Sequence, residues 1–444
     1  MVDTVHSHEG SAGSDDAPVV RRAPFSDNPR VGARGQRTQQ RILDAALEVF
    51  DDEGYHRASI ERITNRAGCS RASFYQYFAD KGEVFQNLSG QVARQLRATT
   101  EAMGSITADA AGWQELHTWI EEQAAVYHRY EPVFHVFDSA SETDEAVASG
   151  SARWAKGMVA TIRARIEGTN APARLLDGVV LDLHGCLTRT LDMATILRTA
   201  RPDDWPEGGV VTALADVMHR TLFGRDDAVN VHVGARRRRP ALNFDPDVRR
   251  DLEPASDEPS TEAGRRTLAK LTEAGRAVLV AKGFHGTRVD DVVEVADVSH
   301  GAFYRYFDSK EQLARVLVTA ATRTVSEVLD AAPPTADGDA PPSGRALRAW
   351  LRRYAATQSE QTALLRVWTD AALSDPELRA ATAPALDWGR RTMSGYLAPR
   401  GFGDVDTEAL VMEALMSLFG GRVPSAGDVE ATALVIERGL LGRS

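Results

Sequence analysis

The densest recognition chemistry lies in two short stretches, SRASFYQYFADK over 70–81 and SHGAFYRYFDSK over 299–310. Read as a helix opened by Ser70, the first buries Phe74 and Phe78, four residues apart, and leaves Arg71, Ser73, Tyr75 and Tyr77 outside. A guanidinium near a helix N-terminus can bind the guanine O6/N7 edge in bidentate fashion. A tyrosine can stack on sugar and donate its hydroxyl to a phosphate. Ser73 is short enough to allow close approach, and Lys81, opening the next helix, can neutralise a phosphate. Two neighbouring phenols are unusual on a solvated face; the bland alternative is that Tyr75 and Tyr77 pack under the head.

The elements that must hold these side chains are also legible. Ile42, Ala45, Ala46, Val49 and Phe50 repeat at three and four, predicting a first helix that stops at Gly54. Ser59 can cap a short second helix carrying Ile60, Ile63 and Ala67. Gly68 supplies the turn, Cys69 fills the corner and Ser70 starts the third helix. A longer helix is expected from Lys81 past Val92 and Leu96. A short helix presented by a helix and a tight turn is the helix-turn-helix arrangement, whose recognition helix enters the major groove.

The segment occurs twice. Gly35 maps onto Gly264, an offset of 229 residues, without a gap. At that offset Ala45/Ala274, Val49/Val278, Gly54/Gly283, Ala67/Ala296, Ser70/Ser299, Phe74/Phe303, Phe78/Phe307 and Lys81/Lys310 are identical. Ile60 and Ile63 become Val289 and Val292, which keeps the buried face. This is an internal duplication, at a period far longer than a solenoid repeat.

Bulk properties set the frame. A chain of 444 residues exceeds one ordinary core. A net charge of −11 argues against a wholly basic surface, although only the charge facing the phosphates matters for DNA. Cys69 and Cys186 give no disulfide framework or metal spacing and read as small buried residues. No apolar run approaches a membrane span, and no signal peptide is evident, so a cytoplasmic setting without membrane contact is expected. The expected organisation is an arm at 1–33, a head at 34–96, a body at 97–224, a linker at 225–263, a second head at 264–325 and a second body at 326–444. The arm ends in Arg21, Arg22, Arg30 and Arg34, suited to the minor groove or to phosphates, or simply solvated. The linker carries Arg236 to Arg239. Helical periodicity runs through both bodies, and no alternation suggests a sheet, so an all-α fold is expected.

The two heads resemble those of the TetR family of bacterial transcription regulators. The resemblance rests on Thr38, Gly54, Ala67-Gly68-Cys69-Ser70, Phe74-Tyr75-Gln76-Tyr77-Phe78 and Asp80-Lys81. In the second copy it rests on Thr267, Gly283, Ala296-Asp297-Val298-Ser299, Phe303-Tyr304-Arg305-Tyr306-Phe307 and Ser309-Lys310. It covers about 60 residues per unit; the bodies match only in length and helicity. It implies two tandem units, each a DNA-binding head on a helical ligand-binding and dimerisation body. It also implies a repressor released by a small molecule. By resemblance, DNA contacts fall at Thr38, Ser70, Arg71, Ser73, Tyr75, Tyr77 and Lys81, and at Thr267, Ser299, His300, Ala302, Tyr304, Tyr306 and Lys310.

The heads are unequal. Over 57–81, Arg57, Arg62, Arg66, Arg71 and Lys81 stand against Glu61 and Asp80, a local +3. Over 286–310, Arg288, Arg305 and Lys310 stand against Asp290, Asp291, Glu294, Asp297 and Asp308, a local −2. Phosphate affinity should be weaker at the second head. Asp297 replaces Gly68 and tolerates a left-handed turn less well.

Aromatic candidates for a small-molecule pocket are Trp119, Tyr127, Phe134 and Trp154 in the first body, and Trp350, Tyr354, Trp368 and Trp388 in the second, each of which could equally be helix packing. Scattered histidines occur without HExxH, GxSxG or a phosphate loop, so an enzyme is not expected, and neither a cofactor nor a metal is called for. A regulator without small-molecule input remains the alternative. The apolar stretches over 175–197 with 210–223, and over 410–419 with 429–441, expose stripes that one unit cannot bury alone. They predict an intramolecular pseudo-dimer on an imperfect palindromic operator; the competing arrangement is a homodimer with four heads.

Overall fold

The computed structural model describes residues 33–55, 57–136, 145–229, 261–333, 344–420 and 424–443. The N-terminal arm, the basic linker run Arg236 to Arg239 and the proline-rich loop from Pro334 lie outside the described residues. The fold is all-α: among the described residues the sole extended pairing is one isolated parallel bridge, Ile106 to Ile166.

In the first unit α1 (Ala33–Glu53), α2 (Ile60–Ala67) and α3 (Arg71–Tyr77) form the head, and α4 (Lys81–Ala102) leads into the body. The body is α5 (Ala110–Arg129), a helical turn over 131–136 (α6), α7 (Glu145–Arg165), α8 (Leu176–Ala200) and α9 (Glu207–Phe223). The second unit repeats the head as α10 (Glu262–Gly286), α11 (Val289–Ala296), α12 (His300–Tyr306) and α13 (Lys310–Asp330). Its body is α14 (Gly344–Ser374), α15 (Pro376–Leu397), α16 (Val405–Ser417) and α17 (Ala426–Leu434), which runs on into a π turn over Val435–Leu440.

Local chemistry sets the head boundaries. Ser59 accepts from the Arg62 amide, Ser70 from the Ser73 amide and Asp80 from the Glu83 amide, each satisfying an orphan donor of a new helix. The second head repeats this at Ser299 and Ser309. Gly68 ends α2 at φ +60°, and Asp297 ends α11 in the same left-handed region at φ +52°. A Cβ added to Gly68 meets nothing within 4 Å, so Gly68→Ala carries conformational cost alone. That substitution should cost the first head about 1–2 kcal/mol, and Asp297→Gly should stabilise the second. Denaturant unfolding of the two variants checks both signs.

The two bodies pack on each other through α8 and α9 of the first unit against α16, α17 and the π turn of the second. Close approach depends on glycine. A Cβ at Gly439 would stand 2.7 Å from the Val217 carbonyl oxygen of α9, and one at Gly178 would stand 3.1 Å from the Ala431 Cβ. Polar groups stitch the same seam. The Cys186 thiol donates to the Val411 carbonyl at 3.2 Å, and the Thr432 hydroxyl to Asp182 at 2.8 Å. Arg220, with no exposed surface, donates from Nη2 to Glu408 at 2.6 Å and from Nε to the Gly439 carbonyl at 2.7 Å.

Candidate nucleic-acid interface and the cavity of the second unit

On α3, Arg71 and Tyr75 are exposed and Ser73 is half-exposed, so three of the four expected outward side chains do face away from the head. Tyr75 is 53% exposed and Tyr304, its counterpart on α12, 56%. Tyr77 and Tyr306 are corrections: both are buried. The reason is helical spacing, because Phe74, Tyr77 and Phe78 stand at i, i+3 and i+4 and share one face. The Tyr306 hydroxyl donates to the Gly264 carbonyl at 3.2 Å, tying α12 to the start of α10.

Lys81 and Lys310 hold backbone carbonyls within their own heads. The Lys81 ammonium donates to the carbonyls of Tyr55 at 2.6 Å and Ala58 at 3.0 Å, and lies 4.4 Å from the Tyr55 ring centre. Lys310 donates to the carbonyls of Phe284 and Thr287, both at 3.0 Å. Burial pulls both ammonium pKa values down. Each lysine is half-buried and ties down the loop between the first two helices of its head. Thr38 and Thr267 lie near the starts of α1 and α10, with hydroxyls donating to the carbonyls of Arg34 and Ala263. Ser70 and Ser299 serve as caps.

Arg71 Nη2 meets Glu61 at 3.0 Å, an exposed pair on the outer face. At the matching positions His300 Nε2 meets Asp290 at 2.6 Å. Ala302 takes the place of Ser73, a small residue half-covered by its neighbours. Arg62 pairs with Glu53, and Arg66 with Glu48 and Asp52, carboxylates of α1 that lie outside the window counted as +3. The positive surplus on the first head is therefore smaller than the sequence window implies.

The aromatic candidates fall into two groups. In the first body Trp119 donates from Nε1 to Thr100 at 3.1 Å, and Tyr127 donates to Asp192 at 2.5 Å; both are buried and internally satisfied. Phe134 and Trp154 are partly buried against the same core. Trp154 and Trp119 flank His184, whose pKa burial lowers to about 4. In the second body Trp350 is sealed in the core, donating to the Val328 carbonyl at 3.0 Å. Tyr354, Trp368 and Trp388 instead line a cavity of about 220 Å³. Its walls come from α13, α14, α15 and α16, and Arg189 and Met193 of α8 close one side from the first unit. Arg189 Nη1 donates to Asp370 of α14 at 2.6 Å and to Asp192 at 3.2 Å, so the wall is tied to both bodies. Sequence reasoning missed Glu413 and Arg189, whose roles depend on which helices meet.

The model of the bacterial regulatory proteins of the tetR family matches twice, over residues 42–88 and 271–317. The chain is 41% identical over 81 residues to the HTH-type transcriptional activator FasR of Mycolicibacterium smegmatis, which is 16% of this chain and 35% of that protein. It is 26% identical over 161 residues to the HTH-type transcriptional regulator BetI of Escherichia coli, 36% of this chain and 75% of BetI. It is also 44% identical over 54 residues to the A-factor receptor protein of Streptomyces griseus, 12% of this chain and 20% of the receptor.

Proposed function

We propose that this chain, which belongs to the TetR family and carries its DNA-binding head twice, is a transcriptional repressor that reads an asymmetric operator and is released from it by a small molecule. The observation that carries this reading is the outward set Arg71, Ser73 and Tyr75 on α3, opposite a second head whose matching set is His300, Ala302 and Tyr304. A recognition helix offering a guanidinium, a hydroxyl and a phenol supplies both base-edge and backbone contacts. In this reading Thr38 and Thr267, near the starts of α1 and α10, hold the flanking phosphates.

Two heads must be spaced to meet successive major-groove faces, which homodimers achieve by symmetry. Here the seam of α8 and α9 on α16 and α17 supports one chain acting as its own pseudo-dimer, free of the identity that symmetry imposes on half-sites. Small-molecule control is supported by the path of α13. The helix starts at Lys310 beneath the second head and then contributes Val318, Thr322, Val325 and Leu329 to the cavity wall. A ligand that shifts α13 changes head spacing, and so couples to DNA affinity. A relative named as a receptor agrees with ligand input, and one named as an activator makes the direction of control a point to measure.

Light scattering tests the assembly: a 48.3 kDa particle is expected without DNA, and a stable particle of twice that mass at low concentration would overturn the monomeric pseudo-dimer. Cysteine alkylation gives an independent reading. Cys186 is buried in the seam, with its thiol pushed up to about 12, whereas Cys69 is half-exposed. Native protein should label at Cys69 alone, and labelling at Cys186 should report parting of the bodies. Genomic footprinting with a reporter on the strongest site tests regulation; no sequence-selective footprint would reject the DNA-reading proposal.

A further inference from the structure

Glu413 of α16 projects into the cavity of the second unit, and its Oε2 is shut off from solvent without a hydrogen-bond partner. Its Oε1 lies against Gly389 of α15, where an added Cβ would stand 2.5 Å away. The surrounding surface is Tyr354, Trp368, Trp388, Met393 and Met416, apolar and aromatic side chains that offer Glu413 no cation. Burying a carboxyl with an empty acceptor position is costly unless something fills that position.

Resting on the reading of this cavity as a ligand site, we propose that it takes an apolar molecule bearing one protonated amine, with the Glu413 carboxylate as counter-ion and the tryptophan faces around the ammonium. Three arginines at or behind the cavity wall are paired with carboxylates. Arg189 from α8 is held by Asp192 and Asp370, and Arg366 of α14 faces Asp370 at 3.8 Å. Arg390 of α15, behind Glu413, is held by Asp387 and Asp406. Arg315 of α13 is exposed at the cavity's edge. An ammonium gains both a charge-assisted hydrogen bond and cation–π contact here once Glu413 gives up its proton. A cavity of roughly 150 Å³ takes benzene, so about 220 Å³ has room for a fused bicycle with a short side chain.

The acid–base balance of binding follows. Desolvation raises the Glu413 pKa to about 8, with Arg390 opposing and Asp387 reinforcing the shift. Tyr354, also facing it, is raised to about 12 and stays neutral. At neutral pH the empty site holds a protonated carboxyl, and binding an ammonium must expel that proton. Below about 8 protons compete with the amine, so its affinity should fall by up to about tenfold per pH unit, and above 8 it should level off.

The test uses the full chain with tryptamine, its neutral isostere tryptophol and indole-3-acetate as probes, by titration calorimetry in buffers of differing ionisation enthalpy over about pH 6–9. Tryptamine should bind tightest, releasing close to one proton per molecule at about pH 6–7. Glu413→Gln, which keeps shape, should weaken tryptamine by about 10- to 100-fold and remove the proton release, while leaving tryptophol binding and thermal stability near wild type. Gly389→Ala, which displaces the carboxyl, should weaken tryptamine in the same direction. Equal or tighter binding of tryptophol or indole-3-acetate would overturn the amine assignment yet leave the cavity as a ligand site. Tryptamine binding unchanged in Glu413→Gln would overturn the role of Glu413. Failure of all three probes to bind would overturn the assignment together with the ligand-site reading.

Discussion

Glu408→Gln is expected to destabilise the protein by about 3–5 kcal/mol, the range for breaking a buried ion pair from one side. Glu408 is fully buried on α16 and pairs with Arg220 of α9 and with Arg400, each at 2.6 Å. The amide would keep the shape but leave two buried guanidiniums short of their shared anion, and burial already lowers the Arg400 pKa. Remaining help is weaker: Asp216 lies 3.9 Å from Arg220, and the Phe402 ring centre lies 5.2 Å from Arg220 and 4.6 Å from Arg400. Arg220→Met should cost less, because Arg400 still neutralises Glu408. That order distinguishes stranded charge from simple loss of contact, and guanidinium chloride unfolding would reveal it. Since the pair joins α9 of one unit to α16 of the other, the Gln variant should also expose Cys186 to alkylation.

Arg71→Ala is expected to cost about 1–3 kcal/mol of operator binding and to relax base preference at one position, as loss of a bidentate guanine contact does. The pair with Glu61 does not forbid that contact, since exposed ion pairs are weak and DNA can displace them. It pre-orients the guanidinium on the outer face of α3. His300→Ala, at the matching position of the second head, should change affinity far less: imidazole lacks the guanidinium fork, and Asp290, Asp291, Glu294 and Asp297 repel phosphates around it. Fluorescence anisotropy with each half-site scrambled in turn measures both effects. Equal losses for the two substitutions would contradict the division of labour between the heads.

The duplication, the all-helical fold and the helix starts at Ser70 and Ser299 were legible in the sequence because their causes are local. A serine caps the amide three residues on, glycine or aspartate accepts a left-handed turn, and apolar spacing marks one face. The outward set Arg71, Ser73 and Tyr75 was legible for the same reason, and the i, i+3 relation of Phe74 to Tyr77 could have corrected the second phenol. Tertiary structure decided where long polar side chains spend their charge. Lys81 reaches carbonyls 23 and 26 residues upstream, and Arg66 reaches carboxylates on another helix. It also decided which aromatic residues line space, which pack solidly, and that Glu413 faces a cavity walled in part by the other unit. Those outcomes depend on which helices meet and how closely, and along a single helix a buried acid beside a cavity reads the same as one facing water.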